Sequence, residues 1–250
     1  MEKRDRLAAF IAAFPLTVSM VGETTDAAVN FLLQAPSDAE PFSRLRFYAR
    51  GVAHSASAHG RSIAAVISFG GSANPFVNAL PDCLDFDLRE DPVLQALSAA
   101  LSVEAARQQC GSRVVIDRLV EAMMLIILRR TIGLHANGSG LLAGLAHPRL
   151  HQALVAVHDN PAQAWDIDRL AAQAGMSRSH FIAQFQAVVG STPGAYVTTW
   201  RLALGQRWLQ RGDSVKQVAA LVGFGSAAAF SRAFTRHFGV APVAIATLAR

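Results

Sequence analysis

Ile167-Asp168-Arg169-Leu170-Ala171-Ala172-Gln173-Ala174-Gly175-Met176 and Val215-Lys216-Gln217-Val218-Ala219-Ala220-Leu221-Val222-Gly223-Phe224 are one pattern written twice, 48 residues apart. Apolar, small, glycine and large apolar positions coincide. Phe181, Phe185, Val189, Gly190 and Pro193 then match Phe230, Phe234, Phe238, Gly239 and Pro242 at an offset of 49, so the second copy holds one extra turn residue. Two copies of one supersecondary unit therefore lie in tandem.

Each copy predicts a short helix, a glycine turn and a second helix. Asp166 and Asp213 stand where N-caps belong. Gly175 and Gly223 supply the permissive turn position. Phe at i and i+4 in each second helix buries one face and leaves the other outward. This is the pattern of a helix-turn-helix, whose second helix enters the major groove. Pro193 opens a connecting helix that runs to Arg211-Gly212, roughly 25–30 Å at 1.5 Å per residue. With its flanking units, such a helix can hold two recognition helices about one DNA turn (~34 Å) apart.

Charge agrees with a polyanion partner. Residues 151–250 hold nine Lys and Arg against four Asp and no Glu, whereas residues 1–150 hold fourteen of each sign. The whole net charge of +5 thus sits in the region of the repeat. Trp165, Trp200 and Trp208 read as packing residues of this helical domain, and His147 and His151 fall on its first helix.

The run Ala219-Ala220-Leu221-Val222-Gly223-Phe224-Gly225-Ser226, followed by Ala229-Phe230-Ser231-Arg232-Ala233-Phe234-Thr235-Arg236-His237-Phe238-Gly239-Val240-Ala241-Pro242, resembles the signature of AraC-type transcriptional regulators. The first copy fits through Leu170-Ala171, Ala174-Gly175-Met176-Ser177, Phe185, Gly190 and Pro193-Gly194-Ala195-Tyr196. The resemblance covers about residues 147–245. Carried over position by position, it implies base-reading sites at Ser179, Ile182 and Ala183 in the first recognition helix and at Ala227, Ala228 and Arg232 in the second. The chain departs from the family pattern at Ala183, where Arg is frequent; alanine can offer the thymine methyl an apolar contact but no hydrogen bond. His180 and Gln186 are placed to compensate. Ser226 completes the interface, with Arg178 and Arg236 suited to phosphate. Upstream, Leu80-Pro81-Asp82, Asp91-Pro92-Val93-Leu94 and Asp117-Arg118-Leu119 are similar to AraC-type members with a cupin-like N-terminal domain.

The N-terminal half reads independently. Leu16–Val21, Val29–Leu33, Leu45–Ala49 and Ile63–Phe69 are β-branched or aromatic runs that predict strands. At about 90 residues this part is short for a complete cupin barrel. Asp91-Pro92 opens a helix to about residue 108, and Ser112 caps a second through Arg130. That second helix is apolar on two adjacent faces, Val115/Leu119/Ala122/Ile126 and Ile116/Val120/Met123/Ile127, so it belongs to the core or to a dimer. Residues 137–146 read as a linker.

The expected fold is therefore α+β. A short cupin-like regulatory and dimerisation domain fills residues 1–136, β-rich to about 90 and helical over 91–136. An all-α domain of two helix-turn-helix units joined by a long helix fills 147–250.

Catalytic constellations are missing. His54 and His59 fit no compact metal motif, and Gly70-Gly71-Ser72 lacks the Walker lysine. No metal and no cofactor are expected. Cys83 and Cys110 read either as small buried residues or as a redox pair. No apolar run approaches the ~20 residues of a membrane helix. Met1–Arg6 carries mixed charge without a signal-peptide core. A cytoplasmic homodimer is expected, with double-stranded DNA as partner. A small-molecule effector and RNA polymerase are further candidates, and no membrane is. The function expected is sequence-specific transcriptional regulation, with two recognition helices reading successive major-groove segments under control of the N-terminal domain. The competing reading is a small-molecule-modifying, cupin-like enzyme with an accessory helical domain, against which the lack of an acid/base or metal cluster argues.

Overall fold

The structure, a computed structural model, describes residues 5–21, 28–37, 40–54, 61–71, 74–107 and 109–247, with the side chains of 53, 54 and 247 excepted. Of the histidine pair at 54 and 59, His59 and the side chain of His54 lie outside what is described. In chain order the elements are α1 (Ala8–Ala13), β1 (Thr17–Met20), β2 (Ala28–Val29), β3 (Phe31–Gln34), β4 (Arg44–Tyr48), β5 (Ala53–His54), β6 (Ser62–Ser68), α2 (Pro75–Asn78), β7 (Cys83–Asp87), α3 (Pro92–Arg107), α4 (Ser112–Leu134), α5 (Leu141–Ala146), α6 (Leu150–Asp159), α7 (Ile167–Gln173), α8 (Arg178–Val189), α9 (Pro193–Gln210), α10 (Val215–Leu221), α11 (Ala227–Phe238) and α12 (Pro242–Thr247).

The N-terminal unit comprises Leu16–Phe69 and Leu80–Thr131. Its sheet is antiparallel throughout, in the order β1-β6-β3-β4-β7, beside a two-stranded ribbon of β2 and β5. Period-two alternation sends Phe31, Leu33, Leu45, Phe47 and Ala65 into the core. Leu32 and Ala64 turn to the other face and pack with Val29. The predicted strand Val29–Leu33 divides at Asn30, whose side-chain amide donates to the carbonyl of Ile67 at 2.8 Å and accepts from its N–H at 2.7 Å. Asp91 caps α3, its carboxylate accepting from the N–H groups of Val93 and Leu94; these bonds hold its pKa below the ordinary carboxylate value. Ser112 does not cap α4 as expected. It is the first helical residue, and its hydroxyl donates to Glu104 at 2.6 Å.

Of the two apolar faces of α4, Val120, Met123 and Ile127 are fully buried, whereas Val114 and Val115 are 62% and 44% exposed. The core thus takes one face, with Met124 and Leu128 beside it.

The C-terminal unit joins the chain from Ile132 onward to the segment ending at Pro15 and to Gly70–Ala79. This corrects the expected boundary at residue 136 and the expected linker at 137–146. Leu141, Leu142, Ala143 and Leu145 are buried in α5. Gly144 lets that helix pack closely: a Cβ there would fall 2.8 Å from Leu154 and 2.9 Å from Val189. In the same unit, Phe10 and Phe14 of the first segment are each 1% exposed. The Phe10 ring lies 4.4 Å from His158, 4.9 Å from Trp200 and 5.2 Å from Phe76, centroid to centroid. Arg207 of α9 donates to the carbonyl of Ala13 at 3.2 Å.

Candidate nucleic-acid interface

The repeat folds into two helix-turn-helix units. Helices α7 and α8 form the first, α10 and α11 the second, with α9 between them. Asp166 caps α7 as expected, accepting from the N–H of Arg169 at 2.8 Å. In the second copy the cap is Ser214, one residue past the expected Asp213. Its hydroxyl and Gln217 form a reciprocal capping box, because serine with glutamine three residues on satisfies two orphan donors at once. Gly190 and Gly239 end α8 and α11 in the left-handed conformation.

Phenylalanines set which face points out. Phe181, Phe185, Phe230 and Phe234 are buried, with ring centroids 5.4 Å apart within each pair. Helix α9 has 18 residues, about 27 Å. It is a core element of both copies rather than a bare strut. Tyr196 packs edge-on against Phe185. Gly205 lets Phe230 approach so closely that a Cβ there would sit 2.7 Å from the ring.

The residues off these stripes are those the sequence singled out. On α8, Ser179, His180, Ala183 and Gln186 are exposed and Ile182 is half-buried. Arg178 opens the helix and is ion-paired with Asp168 at 2.8 Å, both side chains being exposed. On α11, Ala228, Arg232 and Arg236 are exposed and Ala227 is half-buried. The Ser226 hydroxyl accepts from the N–H of Ala229 at 3.1 Å, so it is committed to the cap. Arg232 and Arg236 line one surface hollow together with Ser231 and Thr235. Sequence reasoning missed those last two, although their offset from the Phe stripe marks the same face.

Support comes from groups that the pattern did not reveal. Arg149 donates from Nε to the carbonyl of Ala174 at 3.2 Å and from a terminal nitrogen to that of Gly175, bracing the first turn. His147 lies between α5 and α6 rather than on a helix, and its Nδ1 accepts from the N–H groups of Arg149 and Leu150 at 3.2 and 3.1 Å, bracing the start of α6. His158 and Tyr196 share a buried hydrogen bond. Burial pulls the His158 pKa down to about 3 and pushes the Tyr196 hydroxyl up.

Cys83 and Cys110 are exposed free thiols in the N-terminal unit, not the buried packing residues that one reading expected. Among the described residues no group of His, Cys, Asp or Glu could hold a metal, and no helix is long and apolar enough to cross a membrane.

Residues 170–247 match the helix-turn-helix domain family and residues 22–133 the cupin family. A Streptomyces antibioticus protein named as an AraC-like transcription regulator is 38% identical over 145 residues, 57% of this chain and 48% of that protein. The HTH-type transcriptional regulator AlkR of Acinetobacter baylyi is 33% identical over 174 residues, 68% of this chain and 57% of that protein. The solved DNA-binding domain of the transcriptional factor AdpA, in complex with target DNA, is 32% identical over 41% of this chain and 93% of that one, with a TM-score of 0.39. The chain spans about half the length of the curated relatives it matches.

Proposed function

The chain carries an AraC-type helix-turn-helix domain behind a cupin-type domain, and from that premise we propose that it is a sequence-specific, double-stranded-DNA-binding transcriptional regulator. Helices α8 and α11 each enter a major groove, and one monomer reads two successive segments of the same duplex face. The observation that carries this is the pair of outward faces. Both helices bury their phenylalanine pairs; α8 presents Arg, Ser, His, Gln and Ala outward and α11 presents Arg, Thr, His and Ala, in the hundred residues that carry the whole net charge of the chain.

Arg232, midway along α11, donates two hydrogen bonds to O6 and N7 of one guanine. Arg236 and Arg178 meet phosphate, Arg178 after exchanging Asp168 for it. Such an exchange is cheap, because exposed ion pairs contribute only about 0–1 kcal/mol. The small residues Ala183, Ala227 and Ala228 admit the backbone close to base edges, with Ile182 and Ala183 offering apolar contact to thymine methyls. Ser179, His180 and Gln186 supply the polar contacts of the first helix.

The N-terminal unit supplies control. A second copy of the chain docks on α3 and α4 through exposed valines. A small-molecule effector enters the hollow floored by Met20, Ile63 and Ile116 and rimmed by Gln109 and Arg113. RNA polymerase is the partner at the promoter, in the cytoplasm. Cys83 and Cys110 are the redox candidates. Burial and Asp85 push the Cys83 thiol up, making it a poorer nucleophile than an ordinary cysteine.

Selection from a random duplex library, followed by titration at several salt concentrations, tests the core of this reading. Two conserved blocks about 10 base pairs apart are expected, with affinity falling steeply as salt rises. A library that returns no enriched sequence overturns it.

A further inference from the structure

Gly175 and Gly223 are equivalent turn glycines, with φ of +60° and +79°. Their surroundings differ. A Cβ at Gly175 would meet nothing within 4 Å, whereas one at Gly223 would fall 2.7 Å from both the Cα and the carbonyl oxygen of Ala162. Ala162 belongs to the loop between α6 and α7 that leads into the first helix-turn-helix. Arg201 of α9 holds the same loop from behind. Its Nε donates to the carbonyl of Pro161 and its Nη2 to that of Gln163, both at 2.8 Å. One guanidinium, whose donors form a rigid planar fork, thus clamps the carbonyls on either side of Ala162. The residue between them rests on the turn of the second unit.

Two bodies strung on one helix can rock about its axis. A contact away from that axis stops the rocking. We infer that the clamp formed by Arg201, the 161–163 loop and Gly223 fixes the angle between the two helix-turn-helix units and so sets the spacing at which one monomer accepts its two DNA segments. The inference rests on the DNA-binding reading above and deepens it. Arg201 and Gly223 are positioning residues that touch no base, yet they determine which arrangement of half-sites is bound. One inserted base pair moves the second segment by about 3.4 Å and turns it by about 35°. A clamped pair of units cannot follow that turn, and a hinged pair can.

The first test is a spacing series: duplexes with the two selected blocks separated by one base pair more or fewer. Wild type is expected to lose at least tenfold in affinity at either altered spacing. In Arg201→Ala and Gly223→Ala the penalty is expected to fall below threefold. Gly175→Ala carries the same left-handed backbone strain without a neighbour to displace. It is expected to keep the wild-type spacing penalty, whatever it does to absolute affinity. Circular dichroism and melting establish that each variant is folded. If Arg201→Ala and Gly223→Ala retain the tenfold penalty, the inference is overturned.

The second test needs no DNA, so it separates failure of the clamp from failure of the DNA-binding reading. Spin labels are placed at Ala187→Cys on α8 and Lys216→Cys on α10, both exposed positions, with Cys83 and Cys110 replaced by serine. A narrow distance distribution is expected in the otherwise unaltered protein and in Gly175→Ala. A broadened or shifted one is expected in Arg201→Ala and Gly223→Ala. Equal widths and equal mean distances in all four overturn the inference even if no DNA is ever bound.

Discussion

Arg232 and Arg236 lie one turn apart on α11, in the same hollow, yet the interface asks different things of them. Arg232→Ala is expected to cost about 1–3 kcal/mol on the selected site and to flatten discrimination at one base pair. Arg236→Ala is expected to weaken all sequences alike and to reduce the salt slope by about one unit. Titration against single-substituted duplexes at several salt concentrations distinguishes them; a uniform loss for Arg232→Ala makes it a backbone contact. A different residue governs acid stability. His158 is buried, and its Nδ1 and the indole nitrogen of neighbouring Trp200 have no hydrogen-bond partner among the described residues. Its pKa of about 3 lies below the ordinary 6.5. Between those values the unfolded chain binds a proton that the folded one refuses. The stability held above pH 6.5 is therefore lost as pH falls toward 3, by about 1.4 kcal/mol per unit at most. Denaturant titrations between pH 7 and 5 are expected to show this slope, and His158→Gln to flatten it. An equal slope in both would place the acid sensitivity elsewhere.

At the scale of elements, α1 decides what counts as the DNA-binding domain. Phe10 and Phe14 fill the space beside Trp200, His158 and Phe76. A fragment starting near residue 145 would leave that aromatic pocket open and discard α5. Phe10→Ala is expected to cost about 3–5 kcal/mol, and the fragment is expected to melt far below the full chain and to bind DNA poorly. A fragment with the affinity of the full chain would show that α1 is dispensable. Sequence reading missed α1 and α5 because their partners are distant or their composition misleads. Glycines and a serine at 138–140 suggested a linker, but Gly144 is there to let helices meet. It also missed β7, although Cys83-Leu84-Asp85-Phe86-Asp87 alternates as a strand should. Its place is set by pairing with β4, where Asp85 takes a bidentate bond from Arg44, and no local signal announces that. The helix-turn-helix copies were legible because their punctuation is local: glycine turns, Phe pairs and Pro193 and Pro242 opening the next helices. Even there the second cap was misplaced by one residue, as both Asp213 and Ser214 suit the position and only the Gln217 partner decides.

For the whole molecule, the exposed apolar positions argue for self-association through the N-terminal unit. Val93, Val103, Val114 and Val115 are all about half exposed or more. Val115→Lys is expected to yield a folded monomer in sedimentation at micromolar concentration, where the unaltered protein is expected to be a dimer. Met123→Lys is expected to unfold the unit instead, because Met123 is fully buried. Monomeric wild type under those conditions removes the dimer. The outward face of each helix could be read from the sequence, since the Phe stripes fix which positions point away, and the resemblance to AraC-type regulators implied which of them to name. The inferred clamp could not, because Arg201 and Ala162 belong to no motif and Ala162 meets Gly223 only through the fold.

The docking of Phe10 against Trp200 also imposes an order of events during synthesis. The two rings are separated by 190 positions along the chain. At 5–20 residues per second, Trp200 leaves the ribosome roughly 10–40 s after Phe10. The segments of the N-terminal unit, ending at Thr131, are all made in that interval, while two phenylalanines wait without their pocket. The later-made unit is therefore completed by residues made before the N-terminal unit, across a loop of 190 positions. Because closure of so long a loop must be organised before the contact rewards it, DNA-binding competence is expected to follow synthesis of the whole N-terminal unit, and the interval before it to be a time when the chain needs a chaperone.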